Sequence, residues 1–210
     1  MIVAGCSILR HSVIGIIVAA VYWLAIFSSL LVLTDHLTAL FESSIVVATL
    51  YFGSKIVVRL SSHIFINVGG FFVPMIISAE MLARTYNIVA LYPQVLVVPV
   101  FINIVVAYLS SYVVVGHGVI VRFLPPIIGV SSATALVLSM YNISPYYSLP
   151  LSIVVGYVST LLGADILGYR SSREKLVFGG GGFYDALVVI PLFSPGISYG
   201  LTILSLLVMK

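Results

Sequence analysis

The sequence predicts an all-α integral membrane protein: one domain over 1–210, a helical bundle of about seven transmembrane spans with an irregular segment near 56–74. Three observations carry this. Of 210 residues 61% are hydrophobic. Only 7% are charged, against about 25% in an ordinary soluble domain, too few to cover a water-facing surface. Long stretches also lack Asp, Glu, Lys and Arg altogether, and about 20 apolar residues suffice to cross roughly 30 Å of hydrocarbon. A disordered chain, a disulfide scaffold and a cytosolic globular enzyme are excluded. The single Cys6 permits no internal disulfide. The net charge of +3 comes from nine basic residues spread along the chain, so no basic patch offers itself to nucleic acid.

Taken in order, the first span is expected at 12–34. Its apolar run is longer than a signal-peptide core of about 7–15 residues and no convincing small-residue cleavage site follows, so it is read as a retained helix. Two short spans are expected in 43–83. Lys55 interrupts the first of them, and Asn67-Val68-Gly69-Gly70 with Pro74 interrupts the second. Residues 56–66 are rich in Ile, Val and Phe, so a small β-hairpin is the alternative there. Backbone that leaves the helix at membrane depth must be buried in protein or line a wet cavity. Further spans are expected at 93–115, 123–141, 147–168 and 183–208, with the polar, proline-containing Tyr141 to Pro145 as the turn between two of them.

Lys and Arg collect on the cytoplasmic side of short loops. With seven spans and a cytoplasmic N-terminus, Arg10, Lys55, Arg59, Arg122, Arg170, Arg173 and Lys175 lie inside and only Arg84 and Lys210 outside. This orientation, in the cell (plasma) membrane, puts four unusual features at one face: Asn67-Gly69-Gly70, Pro125-Pro126, Asp165 and Asp185.

Asp165 follows Gly163-Ala164 near the end of one expected helix. Asp185 follows the run Gly179 to Gly182 and opens the next. An ionisable residue in a span is costly and marks a functional site by default. If the side chains meet, they titrate as a pair, which is what activation of water between two acids needs and equally what a proton- or cation-coupled carrier needs. Asp165 and Asp185 are therefore the candidate catalytic pair, with Asn67, Gly69, Gly70, Gly181 and Gly182 as candidate lining that binds substrate. Structural readings stand beside these. Asp185 can cap its helix, Asp165 can pair with Arg170 or Arg173, the glycine run can be a plain loop, and Asn67 to Gly70 can be a close helix contact. Pro125-Pro126 suits a helix start, Glu80 and Arg84 suit an i,i+4 pair, and Tyr92, Tyr146 and Tyr147 suit interfacial anchoring. The four His residues share no metal-ligand spacing, so neither a metal nor a cofactor is expected.

These motifs, Asn67-Val68-Gly69-Gly70 with Pro74, Pro125-Pro126, Gly163-Ala164-Asp165-Ile166-Leu167 and Gly179 to Asp185, resemble an uncharacterised family of archaeal and bacterial multi-pass membrane proteins. That family carries NVGGAxIP, a PP step, GADLL and GGAGTFDG in the same order. The likeness covers about 45–208. Gly181 stands where the family has Ala, and Ala186 where it has Gly. Family membership implies no activity. The placing of one Asp on a sixth and one on a seventh helix is also similar to presenilin-like intramembrane aspartyl proteases, although Tyr184-Asp185 lies on the wrong helix and neither Gly-x-Gly-Asp nor Pro-Ala-Leu is present.

The expected function is that of a polytopic membrane protein with a paired-aspartate site at its cytoplasmic face. As an intramembrane aspartyl-type hydrolase it would act on a membrane-embedded substrate. The alternatives are a proton- or cation-coupled carrier of a small solute and a structural membrane protein. Its partner in every case is the lipid bilayer.

Overall fold

The computed structural model describes residues 17, 19–60, 64–114, 118–169 and 176–208. The chain begins with α1 (Ala19–Leu31) and α2 (His36–Gly53), whose N-cap Asp35 accepts the Thr38 N–H at 3.2 Å. Two short strands follow, β1 (Val57–Arg59) and β2 (Ile64–Asn67). A π-helical turn over Val68–Phe72 leads into α3 (Val73–Arg84), which has Pro74 in its first turn. There proline loses no helical hydrogen bond. Next come α4 (Tyr86–Leu91), α5 (Gln94–Ser110), β3 (Ser111–Val114), β4 (Gly118–Val121) and α6 (Leu124–Met140). After a 3-10 turn, α7 (Ser148–Thr160) runs on as a second π-helical stretch over Leu161–Leu167. The chain then forms β5 (Leu176–Phe178), a 3-10 turn over Gly182–Tyr184 and α8 (Ala186–Val208).

Among the described residues three helices are long and apolar enough to cross a membrane: His36–Gly53, Pro145–Leu167 and Ala186–Val208. Ala19–Leu31, Gln94–Ser110 and Leu124–Met140 are apolar but shorter. The described residues thus display three spans by length where the sequence predicts seven. The largest difference is at 64–79, where a strand and a π-helical turn consume the first half of the expected helix and leave α3 only 12 residues.

The all-α expectation needs a second correction. β1 and β2 pair antiparallel, with Val57 opposite Asn67 and Arg59 opposite Phe65, so the hairpin alternative is the one realised. β5 adds to β2 in parallel, Ile64 opposite Leu176 and Ile66 opposite Phe178. A second antiparallel pair, β3 with β4, ends the helix expected at 93–115 five residues early. Val113, Val114, Val119, Ile120 and Val121 are β-branched and fit a pleated surface better than a helix.

α7 is the central element. Of its span 72% is buried, against 22% for α2 and 50% for α8. The outer faces carry large apolar side chains, Phe101 at 69% exposure and Leu109 at 75% among them, while Ser131, Thr134, Ser152, Asn103, Ser194 and Ser198 are wholly buried. This inverts the soluble pattern. Lipid is as apolar as leucine, so large side chains gain nothing by leaving it, and small polar residues let helices approach and hydrogen-bond. Several buried hydroxyls bond the carbonyl four residues back, as in Ser131 to Ile127 at 2.7 Å and Ser159 to Val155 at 2.6 Å. Glycines set the closest crossings: a Cβ at Gly156 would lie 2.9 Å from Pro191 Cα, and one at Gly163 would overlap the Ile104 carbonyl oxygen. The expected Glu80–Arg84 pair is present, and Arg84 also bonds both Glu42 oxygens at 3.0 Å, joining α3 to α2.

Candidate functional site

Asp185 sits between a 3-10 turn and α8 in extended backbone, φ −70° and ψ 152°. Its Oδ1 accepts the Leu187 N–H at 3.0 Å and its Oδ2 the Gly181 N–H at 2.8 Å. The first bond satisfies one of the orphan donors of the helix start. The second closes the glycine run back on itself, which Gly179 (φ +67°) and Gly182 (φ +57°) make possible by entering the left-handed region. Burial pushes the Asp185 carboxyl above the usual carboxylate range, and the Leu187 and Gly181 N–H groups oppose that rise.

Asp165 lies in the π-helical end of α7. π-helical turns inside α-helices are rare and often mark functional sites. Its Oδ2 is buried and has no hydrogen-bond partner among the described residues, and the same holds for the Tyr157 hydroxyl on the preceding turns of that helix. Asp165 interacts electrostatically with both Asp185 and Tyr157, and Asp185 with Tyr22 of α1. No hydrogen bond joins the two carboxyls among the described residues: backbone N–H groups take both Asp185 oxygens, and Asp165 Oδ2 has no partner there. The expected pairing of Asp165 with Arg170 or Arg173 lies outside the described residues.

The remaining predicted residues lie about the glycine run that holds Asp185. Asn67 Nδ2 donates to the Ser54 carbonyl at 2.7 Å and its Oδ1 accepts the Gly70 N–H at 2.8 Å. One side chain therefore ties the end of α2 to the π-helical turn. Gly69 lies against that same end, where a Cβ would overlap Ser54 N and Leu50 O. Gly70 lies against Gly179. A Cβ at Gly182 would come 3.0 Å from Ser54 Cβ. Asn67, Gly69, Gly70, Gly181 and Gly182 are thus gathered in one place, and their contacts run to backbone, to the Ser54 side chain and to Asp185. Phe71 follows Gly70, its ring 6.4 Å from Tyr157 and 5.6 Å from Phe178.

Tyr157 and Tyr22 were not among the sequence candidates. Tyr157 precedes Asp165 by eight residues, about two helical turns, so the periodicity that stacks residues on one helix face could have found it. No local signal points from Tyr22 to Asp185. Among the described residues no three His, Cys, Asp or Glu side chains group to hold a metal ion.

No curated protein and no solved structure matches the chain. The likeness to presenilin-type proteases therefore has no support beyond the presence of two acids. A family model does match, over residues 37–197, which takes in every motif from Asn67 to Asp185. The chain belongs to the protein family of unknown function DUF1614.

Proposed function

We propose that this is a multi-pass protein of the plasma membrane, its N-terminus cytoplasmic, in which Asp165 and Asp185 form a proton- or cation-loading site for passage of a small solute. The observation that carries this reading is the buried Oδ2 of Asp165, which, like the Tyr157 hydroxyl two turns earlier on the same helix, has no partner among the described residues. Buried polar atoms are nearly always bonded, and an orphaned one calls for an occupant. At a membrane-embedded carboxyl that occupant is a proton or a small cation. Asp165 also lies where α7 departs from α-helical geometry. Broken helices supply ion sites in carriers because backbone groups freed from the ladder face the path.

Asp185 takes the supporting part. Both its oxygens accept backbone N–H groups, so its side chain is fixed in place, and in its ionised form its charge acts on Asp165.

Intramembrane aspartyl-type hydrolysis is the second reading, favoured by the electrostatic interaction of the two acids. Asp185, in its ionised form, would take a proton from water as its oxygen attacks a carbonyl, and Asp165 would give its own proton to the carbonyl oxygen. Loading at Asp165 alone ranks first because the Asp185 oxygens are already committed to Gly181 and Leu187.

The test is pH-gradient-driven flux in proteoliposomes of the full chain, with a pH-sensitive dye inside. The expected result is proton movement that Asp165→Asn abolishes and Asp185→Asn slows. Equal movement in wild type and Asp165→Asn overturns the proposal. Cleavage of a membrane-embedded peptide library that both substitutions abolish would replace it with the hydrolase.

A further inference from the structure

The two hairpins carry features that the carboxylate site does not use. β1 is exposed at all three positions, Val57, Val58 and Arg59, and is the outer strand of its sheet. Ile56, Leu60 and Ile64 around it are exposed as well. Among the described residues β3 and β4 pair only with each other, and Tyr112, Ile120 and Phe123 on and after them are exposed. Each hairpin also has basic side chains laid against aromatic rings. Lys55 Nζ stands 5.0 Å from the centre of the Tyr51 ring, the Arg59 guanidinium 6.0 Å from that of Phe65 and the Arg122 guanidinium 5.9 Å from that of Tyr112. Lys55 and Arg122 make no ion pair among the described residues.

Both hairpins stand at one end of the bundle. α7 and α8 run antiparallel, since Gly156 meets Pro191 and the Tyr146 ring lies 5.6 Å from that of Tyr199. The end of α7 therefore lies at the start of α8. Gly168, just past α7, lies against Ser111 at the start of β3, and Gly182, just before α8, lies against Ser54, which leads into β1. Asp35, Glu42 and Glu80 stand with Arg84 at the opposite end. Among the described residues the exposed charges at the hairpin end are Lys55, Arg59 and Arg122, whereas Asp165 and Asp185 are partly buried. Cations distant along the chain are thus gathered at one pole by the fold.

Neither water nor hydrocarbon suits this pole. Apolar side chains crowded on an edge strand are a liability in water. An open strand edge cannot enter hydrocarbon, where nothing bonds its N–H and C=O groups. The headgroup layer meets both needs: apolar side chains reach the acyl chains while the open edges stay among water and phosphate. The exposed apolar surface also runs unbroken from Phe52 on α2 and Leu109 on α5 into the hairpins, so the lipid that covers those helices continues over them.

We propose that the two hairpins lie in the headgroup layer of the leaflet at this end, where Lys55, Arg59 and Arg122 bind the phosphates of acidic phospholipids. Basic groups next to a span are drawn to acidic headgroups, which are concentrated in the cytoplasmic leaflet, the side that a basic pole faces. A cation resting on a ring is already ordered, and a guanidinium held by its face still offers its N–H edge to phosphate. The inference is independent of the loading reading and needs only that the chain spans a bilayer.

The test reads lipid at the hairpins directly. The full chain carrying Cys6→Ser is labelled with bimane at a single cysteine, Val58→Cys or Ile120→Cys, both exposed positions. It is placed in vesicles of phosphatidylcholine and phosphatidylglycerol, one or the other bearing a nitroxide high on its acyl chain. Quenching is expected at both positions, about threefold stronger from phosphatidylglycerol, because each nearby cation favours the acidic headgroup. The triple substitution Lys55→Gln, Arg59→Gln and Arg122→Gln should abolish the preference and leave the quenching. Quenching by neither lipid puts the hairpins in water and overturns the proposal. Equal quenching by the two lipids, or a preference that survives the triple substitution, overturns the assignment of acidic lipid to these side chains. So does inorganic phosphate that displaces the preference at constant ionic strength, which would mark a free-phosphate site. Loss of quenching at position 58 as protein is raised over lipid would give β1 to a second copy of this chain and overturn the proposal likewise. Should a labelled variant fail to fold, native mass spectrometry of the unlabelled chain decides: retained lipid is expected to be enriched in phosphatidylglycerol over the input mixture, and retention at the input ratio overturns the proposal.

Discussion

Gly70 and Gly179 meet backbone to backbone: a Cβ at 70 would overlap the Gly179 carbonyl oxygen, and Gly179 itself turns at φ +67° to make the approach. This crossing pins the π-helical turn before α3 to the glycine run that positions Asp185, so the two halves of the candidate site share one point of contact.

Gly70→Ala forces these segments apart and is expected to cost about 1–3 kcal/mol, the range for overpacking a close contact. Gly200 on α8 has nothing within 4 Å of its missing Cβ, so Gly200→Ala should stabilise by about 0.5–1 kcal/mol through helix propensity alone. Thermal midpoints in detergent separate the two. Equal effects would show that the crossing is slack.

Asn67 makes two bonds that no other side chain replaces together. Asn67→Ala orphans the Ser54 carbonyl and the Gly70 N–H and is expected to cost about 1–3 kcal/mol. Asn67→Asp keeps an acceptor for Gly70 but loses the donor to Ser54. Its melting loss should therefore persist at neutral pH and shrink on acidification, when a protonated carboxyl can donate again.

Asp185 links stability to pH. Burial raises its folded-state value above the ordinary 3.8, so the folded protein holds this proton more tightly than the unfolded chain does. The sign follows: stability is greatest below that ordinary value and falls as pH rises from it toward the raised one. Asp185→Asn keeps one of the two N–H bonds and should flatten that fall. An unaltered slope in chemical-denaturation midpoints across the acid range would contradict the assignment.

Arg84 holds Glu42 and Glu80 together across α2 and α3. Arg84→Ala leaves two carboxylates facing each other and is expected to cost about 1–2 kcal/mol, more than a solvated pair returns. Glu80→Gln leaves the bonds to Glu42 in place and should cost less. The order of the two midpoints is the test.

Much of this architecture can be read along the chain. The π-helical turn at Val68–Phe72 falls where Asn67, Gly69, Gly70 and Pro74 signal a break, and the hairpin beside it falls where β-branched residues crowd between Lys55 and Asn67. The capping part of Asp185 follows from an acidic residue placed at the first turn of an apolar run. The β3–β4 hairpin was hidden because Val-rich segments suit a lipid-facing helix and a strand equally well, and hydropathy does not separate them. Tyr22 was hidden because its neighbour Asp185 lies at the other end of the chain.

The sequence by itself determined the solvent and the chemistry on offer. Transfer into hydrocarbon depends on how many apolar side chains the chain carries and how they are clustered, which is independent of how they later pack, and two acids among such residues stand out wherever they land. Tertiary structure alone decided what those groups meet. The overlap of Gly70 with Gly179, the contact of Gly156 with Pro191, and the filling of both Asp185 oxygens while one Asp165 oxygen has no partner among the described residues depend on the relative register of segments distant along the chain. That register is set by close packing at a few glycines and prolines, and packing is a property of surfaces brought together, which no single stretch of residues contains.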